Sequence, residues 1–315
     1  MFGIIAPGQG SQTPGMLAGW LRDPECAASV RQWSEASGCD LAHLGTKASS
    51  AEIARTENTQ PLLVAQGLLA HGALAGKLTD GAAVVAGHSV GELTAAVYAG
   101  VLDPADAVRL AAVRGRAMAE ACAGTPTSMA AVVGGDEAEV LAHLSGLGLS
   151  PATYNGPGQI VAAGTSLRIG QLIAHPPRGA TVKELQVAGA FHTPHMESAR
   201  QVFADAAAAT HFARPRLLLL SNADGAVVTS PDGIRHRLVE QVVRPVRWDL
   251  CMDALDRTAP GAVISLPPAR TLTGILKRRY PGIDVVALNT PRDIAKAAAR
   301  LDAGAGRTEP ARAGV

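Results

Sequence analysis

AAVVAGHSVGELTAAVYA, residues 82–99, is the stretch that decides the fold. Its first part, AAVVAG at 82–87, is a short apolar run ending in glycine, as expected of a strand buried on both faces. Its last part, 91–99, is built of small residues at helical spacing. Between them lies GHSVGE, Gly87 to Glu92, a GxSxG pattern set between a strand and a helix. Such a turn needs glycine on both sides of the serine, because a side chain at either position would crowd the backbone of a strained bend. The bend pushes the Ser89 hydroxyl out at the carboxyl edge of a sheet, at a helix N-terminus, and aims the N–H of Val90 toward a reacting carbonyl. The alternative is a plain glycine-rich turn.

Outward from this point the order of elements predicts an α/β protein. Residues 2–6 read as a buried strand that runs into GQGSQ at 8–12 and then a helical stretch ending near Leu21. Apolar residues recur at helical spacing from Pro61 to Leu78. Alternation of this kind implies a parallel sheet. From Thr127 the order changes to strand (128–133), helix (136–145), strand (152–155), strand (159–164), helix (166–174), strand (180–187). This βαββαβ order matches a ferredoxin-like unit, so residues 126–189 are predicted as a small domain inserted in a larger one made of 1–125 and 190–302. A helix from near Pro194, a strand at 216–221, a helix near 232–242 and a strand at 262–266 restore the alternation. Residues 303–315, rich in Gly, Pro and charge, are expected to form a disordered tail.

Composition narrows the function classes. The 315 residues are 47% hydrophobic but only 3% aromatic, and the formal net charge is +1, so no basic footprint of a nucleic-acid binder is present. The chain has four cysteines, Cys26, Cys39, Cys122 and Cys251, without a CxxC pair or a Cys/His cluster at metal spacing; they are expected to be reduced, buried and inert. No charged leader opens the chain and no apolar run approaches the roughly 18 residues of a membrane span, so a cytoplasmic protein without membrane contact is expected. The GQGSQ loop does not satisfy GxGxxG and no P-loop lysine follows it, which argues against a nucleotide site.

A serine nucleophile needs a base, and the downstream histidines are His143, His175, His192, His195, His211 and His236. Spacing alone does not choose among them. His192, in GAFHTPHM, falls where the chain leaves the inserted unit, and His195 is its close competitor. No acidic third member stands in the order Ser, Asp, His of an ordinary hydrolase, so another group has to orient the imidazole. Arg114 points to the substrate. In the helix opened by Asp103 as cap and Pro104 in the first turn, Ala107, Leu110, Ala117, Met118 and Ala121 form an apolar stripe. Arg114 lies inside this stripe, one turn from both Leu110 and Met118, whereas Arg109 and Arg116 lie opposite. A guanidinium there needs a partner, either a protein carboxylate or a carboxylate of the ligand.

With these residues in view, the chain resembles the malonyl-CoA:acyl-carrier-protein transacylases, most closely their actinobacterial members. The resemblance covers nearly the whole chain and is carried by APGQGSQTPGM, GHSVGELTAAVYAGVLD, VRLAAVRGRAMAEA, YNGPGQIVAAGT, VAGAFHTPHM, QVVRPVRWDLCM and TLTGILKR. It implies a larger α/β-hydrolase-like domain with the ferredoxin-like insert. It also implies that Ser89 is the acylated nucleophile, His192 its base and Arg114 the clamp on the malonyl carboxylate. The main-chain N–H groups of Gln12 and Val90 would form the oxyanion hole, and the main-chain carbonyl of Gln241 would orient His192. Met118 and Phe191 are placed with Arg114 as substrate-binding residues. Phe191 corresponds to the residue before the base, where methylmalonyl-selective relatives carry serine; packing between the domains is its alternative role. The implied partners are malonyl-CoA and an acyl carrier protein, with no cofactor and no metal.

One block departs from the family pattern, since SLPPARTLTG stands at 265–274 where relatives usually carry a Gly-Pro-Gly turn. Three rival functions share parts of the pattern: a serine thioesterase or esterase, a polyketide-pathway acyltransferase for another acyl unit, and a carrier-protein scaffold without activity. Arg114 and the missing acidic residue argue against the first, and the intact Ser89, His192 and Arg114 against the last.

Overall fold

The computed structural model describes residues 1–305 and contains two sheets. The first has the order β10-β9-β1-β2-β7 and is parallel throughout: β1 is Phe2–Ala6, β2 Ala83–Gly87, β7 Leu218–Leu219, β9 Val263–Ser265 and β10 Val285–Ala287. Every residue of β1 and β2 is buried, and alternate residues go to different cores. Ile4, Ala6, Ala83 and Val85 pack into one cluster, with Leu93, Leu110 and Leu62. Ile5, Val84 and Ala86 pack into the other, against Trp248, Leu255 and Leu276. A sheet covered by helices on both sides has no polar face, which is why these strands read as unbroken apolar runs.

The second sheet has the order β6-β3-β5-β4-β8, with β3 at Thr127–Gly134, β4 at Ser150–Tyr154, β5 at Gln159–Thr165, β6 at Ala180–Glu184 and β8 at Val246–Arg247. β3 pairs with β5 and β6, and β4 with β5, all antiparallel. The helices Glu137–Gly146 and Ser166–Ala174 cover one face through Val140, Leu144, Ile169 and Leu172. The other face presents Met129 and Val161 to the first core, so the sheet stands over the carboxyl edge of the parallel one.

Several sequence expectations are corrected. The second sheet is not confined to 126–189, because β8 joins β4 in parallel from beyond that range. The segment before Leu21 is a run of turns ending in the 3-10 helix Trp20–Arg22. Three of its first residues are Pro14, Gly15 and Thr13, which favour turns over helix. The helix Pro24–Ser37 went unread although Asp23 caps it and Pro24 opens it. The last helix, Ile294–Ala305, extends past the predicted boundary at 302, and the rest of the expected tail, 306–315, lies outside the described residues. Of the four cysteines, all free, only Cys251 is buried; the others are half-buried. Among the described residues no helix is long and apolar enough to cross a membrane.

Candidate active site

The turn after β2 has the geometry that GxSxG requires. Ser89 has φ 54°, in the left-handed region that costs an L-residue about 1–2 kcal/mol. A Cβ on Gly87 would lie 2.0 Å from the Gly91 carbonyl carbon, and one on Gly91 would lie 2.5 Å from the Ala6 carbonyl oxygen. Both glycines are therefore dictated by backbone packing. Asn222, just beyond β7, fastens the bend: its Oδ1 accepts from Ser89 N at 2.8 Å and its Nδ2 donates to the Gly87 carbonyl at 2.7 Å. Ser89 stands at the start of the helix Gly91–Tyr98, where free N–H groups favour negative charge.

His192 meets the nucleophile from a second strained position, φ 61°. Its Nε2 lies 2.8 Å from Ser89 Oγ and its Nδ1 lies 2.7 Å from the main-chain carbonyl of Gln241. A carbonyl only accepts, so Nδ1 carries the proton and Nε2 offers its lone pair to the serine hydroxyl. Burial, and the Arg114 charge second, push the imidazole down to about 3, opposed by its bond to Gln241. At neutral pH it is the free base. His195 is exposed, as are His175, His211 and His236, and His143 lies in the outer helix Glu137–Gly146; only His192 reaches Ser89. The neighbouring Thr193 hydroxyl donates to the Ala190 carbonyl at 2.6 Å, and Thr127 Oγ1 accepts from Ala190 N at 3.0 Å, which pins the loop carrying the base.

Arg114 is only 2% exposed, as its place on the apolar stripe of the helix Pro104–Ala121 requires. Its Nη1 donates to Gln60 Oε1 at 2.7 Å, and its Nη2 to Gln241 Oε1 at 2.9 Å and toward Ser89 Oγ at 3.3 Å. Among the described residues it forms no salt bridge, so the protein-carboxylate partner is not realised. Each terminal nitrogen has two N–H groups and gives one to a neutral amide; the second on Nη1 has no acceptor among the described residues and the second on Nη2 makes only the long 3.3 Å contact with Ser89 Oγ, so this edge of the guanidinium stands beside the nucleophile. Burial pulls the guanidinium down to about 10, partly offset by the nearby Glu92, so it stays charged at neutral pH.

These groups line a cavity of about 540 Å³ between the two sheets. Gln12, Val90, Met118 and Phe191 all face it, and Met129 and Val161 of the second sheet close it from above. The SLPPAR segment leads into the helix Arg270–Arg279, which supplies Thr271, Leu272 and Ile275 to the same wall. Phe191 is 6% exposed, packs in the main core and also lines the cavity.

Four polar residues of this neighbourhood were missed in the sequence. Gln60, in the helix Thr56–Leu74, holds Arg114 and donates to Met118 Sδ at 3.4 Å. Asn222 clamps the elbow. His88 Nε2 bonds Asn155 Oδ1 at 2.9 Å, which ties the elbow to the end of β4. Glu92 is buried behind the elbow. The available signal for Glu92 was a lone charged residue in an apolar helix, GELTAAVY; Gln60 closes the polar run TENTQ and carried no such signal.

Comparison with known proteins agrees with this geometry. Residues 4–293 match the acyl transferase domain family. The malonyl CoA-acyl carrier protein transacylase of Mycobacterium tuberculosis is 50% identical over 296 residues, covering 93% of this chain and 98% of the relative. The crystal structure of the enzyme from that organism superposes with a TM-score of 0.91 at 49% identity, covering 95% of this chain and 99% of that one. A malonyl transacylase solved in complex with its type II PKS acyl-carrier protein gives 0.87 at 30% identity, covering 95% and 99%. A strained serine, a carbonyl-oriented histidine and a similarity running almost end to end place the chain in the acyl transferase family, among the malonyl CoA-acyl carrier protein transacylases.

Proposed function

We propose that the protein transfers a malonyl group from malonyl-CoA to the phosphopantetheine thiol of an acyl carrier protein through an ester on Ser89. The observation that carries this reading is the Arg114 guanidinium, charged, without a salt-bridge partner among the described residues and 3.3 Å from Ser89 Oγ. In the first half-reaction Ser89 Oγ attacks the thioester carbonyl and its proton passes to His192 Nε2. The N–H groups of Gln12 and Val90, both on the cavity wall, are assigned to the oxyanion. Collapse breaks the C–S bond, and the coenzyme A thiolate leaves with the proton from His192. The carrier thiol then gives its proton to His192 and attacks the ester, and Ser89 departs with that proton restored. The mechanism assigns no step to a metal or cofactor.

Binding of the substrate also prepares the base. The Arg114 charge is one of the two main causes that depress His192, and a carboxylate bound to Arg114 offsets it. The imidazole becomes more basic when malonate is in place.

The strand order β6-β3-β5-β4 supports reading 126–189 as a ferredoxin-like insert in an α/β-hydrolase-like domain formed by 1–125 and 190–302. Four free cysteines are in keeping with a cytoplasmic setting.

The test is mass spectrometry after incubation with malonyl-CoA, followed by addition of a phosphopantetheinylated carrier protein. A malonyl adduct on Ser89 that is discharged to the carrier is expected. An adduct that persists in Ser89→Ala, or one lost to water at the same rate with or without carrier, would overturn the proposal.

A further inference from the structure

Behind the nucleophile lies a buried carboxylate that the mechanism does not use. We propose that Glu92 is a positioning residue: in its carboxylate form it holds the Gln241 amide, together with the Ser89 carbonyl and Asn222 Oδ1, in the orientation that presents its oxygen to Arg114. This rests on the malonyl reading of the site.

The case is a count of donors and acceptors. Glu92 Oε1 accepts from Asn222 N at 2.6 Å, and its Oε2 accepts a short bond from Gln241 Nε2. At the far end of the same amide, Gln241 Oε1 accepts from Arg114 Nη2. Both ends of this chain are obligatory donors, since a main-chain N–H and a guanidinium cannot accept. Gln241 therefore turns its oxygen to Arg114 and its NH₂ to Glu92; the same NH₂ lies 3.1 Å from both the Ser89 carbonyl and Asn222 Oδ1, longer contacts than the one to Glu92, and Glu92 accepts on both oxygens. The ionised form does so with no proton of its own to place. A proton on Oε2 would face the Gln241 NH₂, and relief by turning the amide would present N–H to a guanidinium. The Gln241 main-chain carbonyl that orients His192 is not part of this switch.

The surroundings let Glu92 titrate near neutrality. Burial pushes it up to about 8, opposed by the Asn222 N–H and by the charges of Arg114 and Arg237. Arg114 faces it from the helix Pro104–Ala121 and Arg237 from Pro231–Glu240, where Arg237 also pairs with Asp224 at 2.6 Å. Cys251, from the helix Trp248–Arg257, is held protonated by burial and by Glu92 itself. The remaining residues lining the space behind the elbow, Leu219, Leu220, Val228, Ile234 and Leu238 with Ser221, are uncharged.

The experiment compares kcat/KM for malonyl-CoA and acetyl-CoA from pH 6 to 9 in the wild type, Glu92→Gln and Glu92→Asp. His192 serves both donors, so its titration cancels in the ratio. The wild-type malonyl/acetyl ratio should rise about 10-fold or more with pH, the worth of a hydrogen bond to a charged group. Glu92→Gln has the donor pattern of the protonated acid. It should hold the low-pH ratio at every pH, with the KM for malonyl-CoA raised about 10-fold and acetyl transfer changed less than about 3-fold. Glu92→Asp keeps a carboxylate and should keep the rise. A wild-type ratio independent of pH, or a Glu92→Gln ratio that rises like the wild type, would overturn the inference. The wild-type profile decides the matter even if both variants misfold. Absence of a malonyl ester on wild-type Ser89 at every pH would instead overturn the malonyl reading, and this inference with it.

Discussion

Replacing Arg114 with alanine separates a substrate clamp from a structural arginine. In the wild type, Gln60 and Gln241 hold the guanidinium, which leaves one N–H of Nη1 free and one of Nη2 on the long contact to Ser89 Oγ; a bound carboxylate is expected to take both. Two charge-assisted hydrogen bonds are worth about 1.5–3 kcal/mol each. Some of this is recovered in the variant, because a cavity of about 540 Å³ admits water to the orphaned carboxylate. A net loss of about 3–4 kcal/mol is then expected, which is about 10²–10³-fold in kcat/KM for malonyl-CoA. Acetyl-CoA has no carboxylate to leave unpaired. Its transfer loses only the 3.3 Å contact of Arg114 with Ser89 Oγ, while His192 is freed from a neighbouring positive charge and becomes a better base. Acetyl transfer should therefore stay within about 3-fold of the wild type or rise, as expected when an interaction specific to one substrate is removed. The assay is rapid-quench mass spectrometry of the acyl-enzyme at a series of donor concentrations, with thermal unfolding as a control. Losses by the same factor toward both donors, in a folded variant, would assign Arg114 a structural role and refute the reasoning.

Other outcomes follow from the same geometry. His192→Ala should slow transfer by about 100-fold or more, and His195→Ala, exposed and away from Ser89, should leave the rate near the wild type; steady-state rates with the carrier protein check both. Phe191 fills cavity space beside His192, so Phe191→Ser should raise the methylmalonyl/malonyl rate ratio by very roughly 10–200-fold. An unchanged ratio in paired-donor assays would remove Phe191 as a selectivity element. Since the free-enzyme His192 is depressed to about 3, its basic form persists above that value and is lost only as pH falls toward it. With acetyl-CoA, kcat/KM should thus stay level through pH 6.5 and decline only below about pH 5. An acid limb centred at 6–7 would contradict the burial argument. The same depression means that unfolded chains take up this proton below about 6.5 while folded ones do not, so His192 lowers stability progressively as pH falls from there.

How far the site could be read in advance depended on how local each signal was. The elbow was legible because Gly87, Ser89 and Gly91 constrain one another within five residues of backbone. Arg114 was legible because helical period alone puts it on the buried stripe. The choice between His192 and His195 was not, since both sit in one loop and differ only in what lies opposite them. The turn-rich segment before Leu21 was misread as helix, and β8, two residues long, has too little pattern to announce that it completes the second sheet.

The sequence by itself determined the alternation of buried strands and helices, the strained nucleophile and the buried cation, since each follows from steric or periodic rules acting over a few residues. Only the tertiary structure decided what these groups meet. Gln60 and Gln241 reach Arg114 from 54 and 127 residues away, and Glu92 reaches Gln241 across 149. Hydrogen-bond polarity at the site is set by which donors and acceptors the packed elements bring within about 3 Å, and no local pattern encodes that distance.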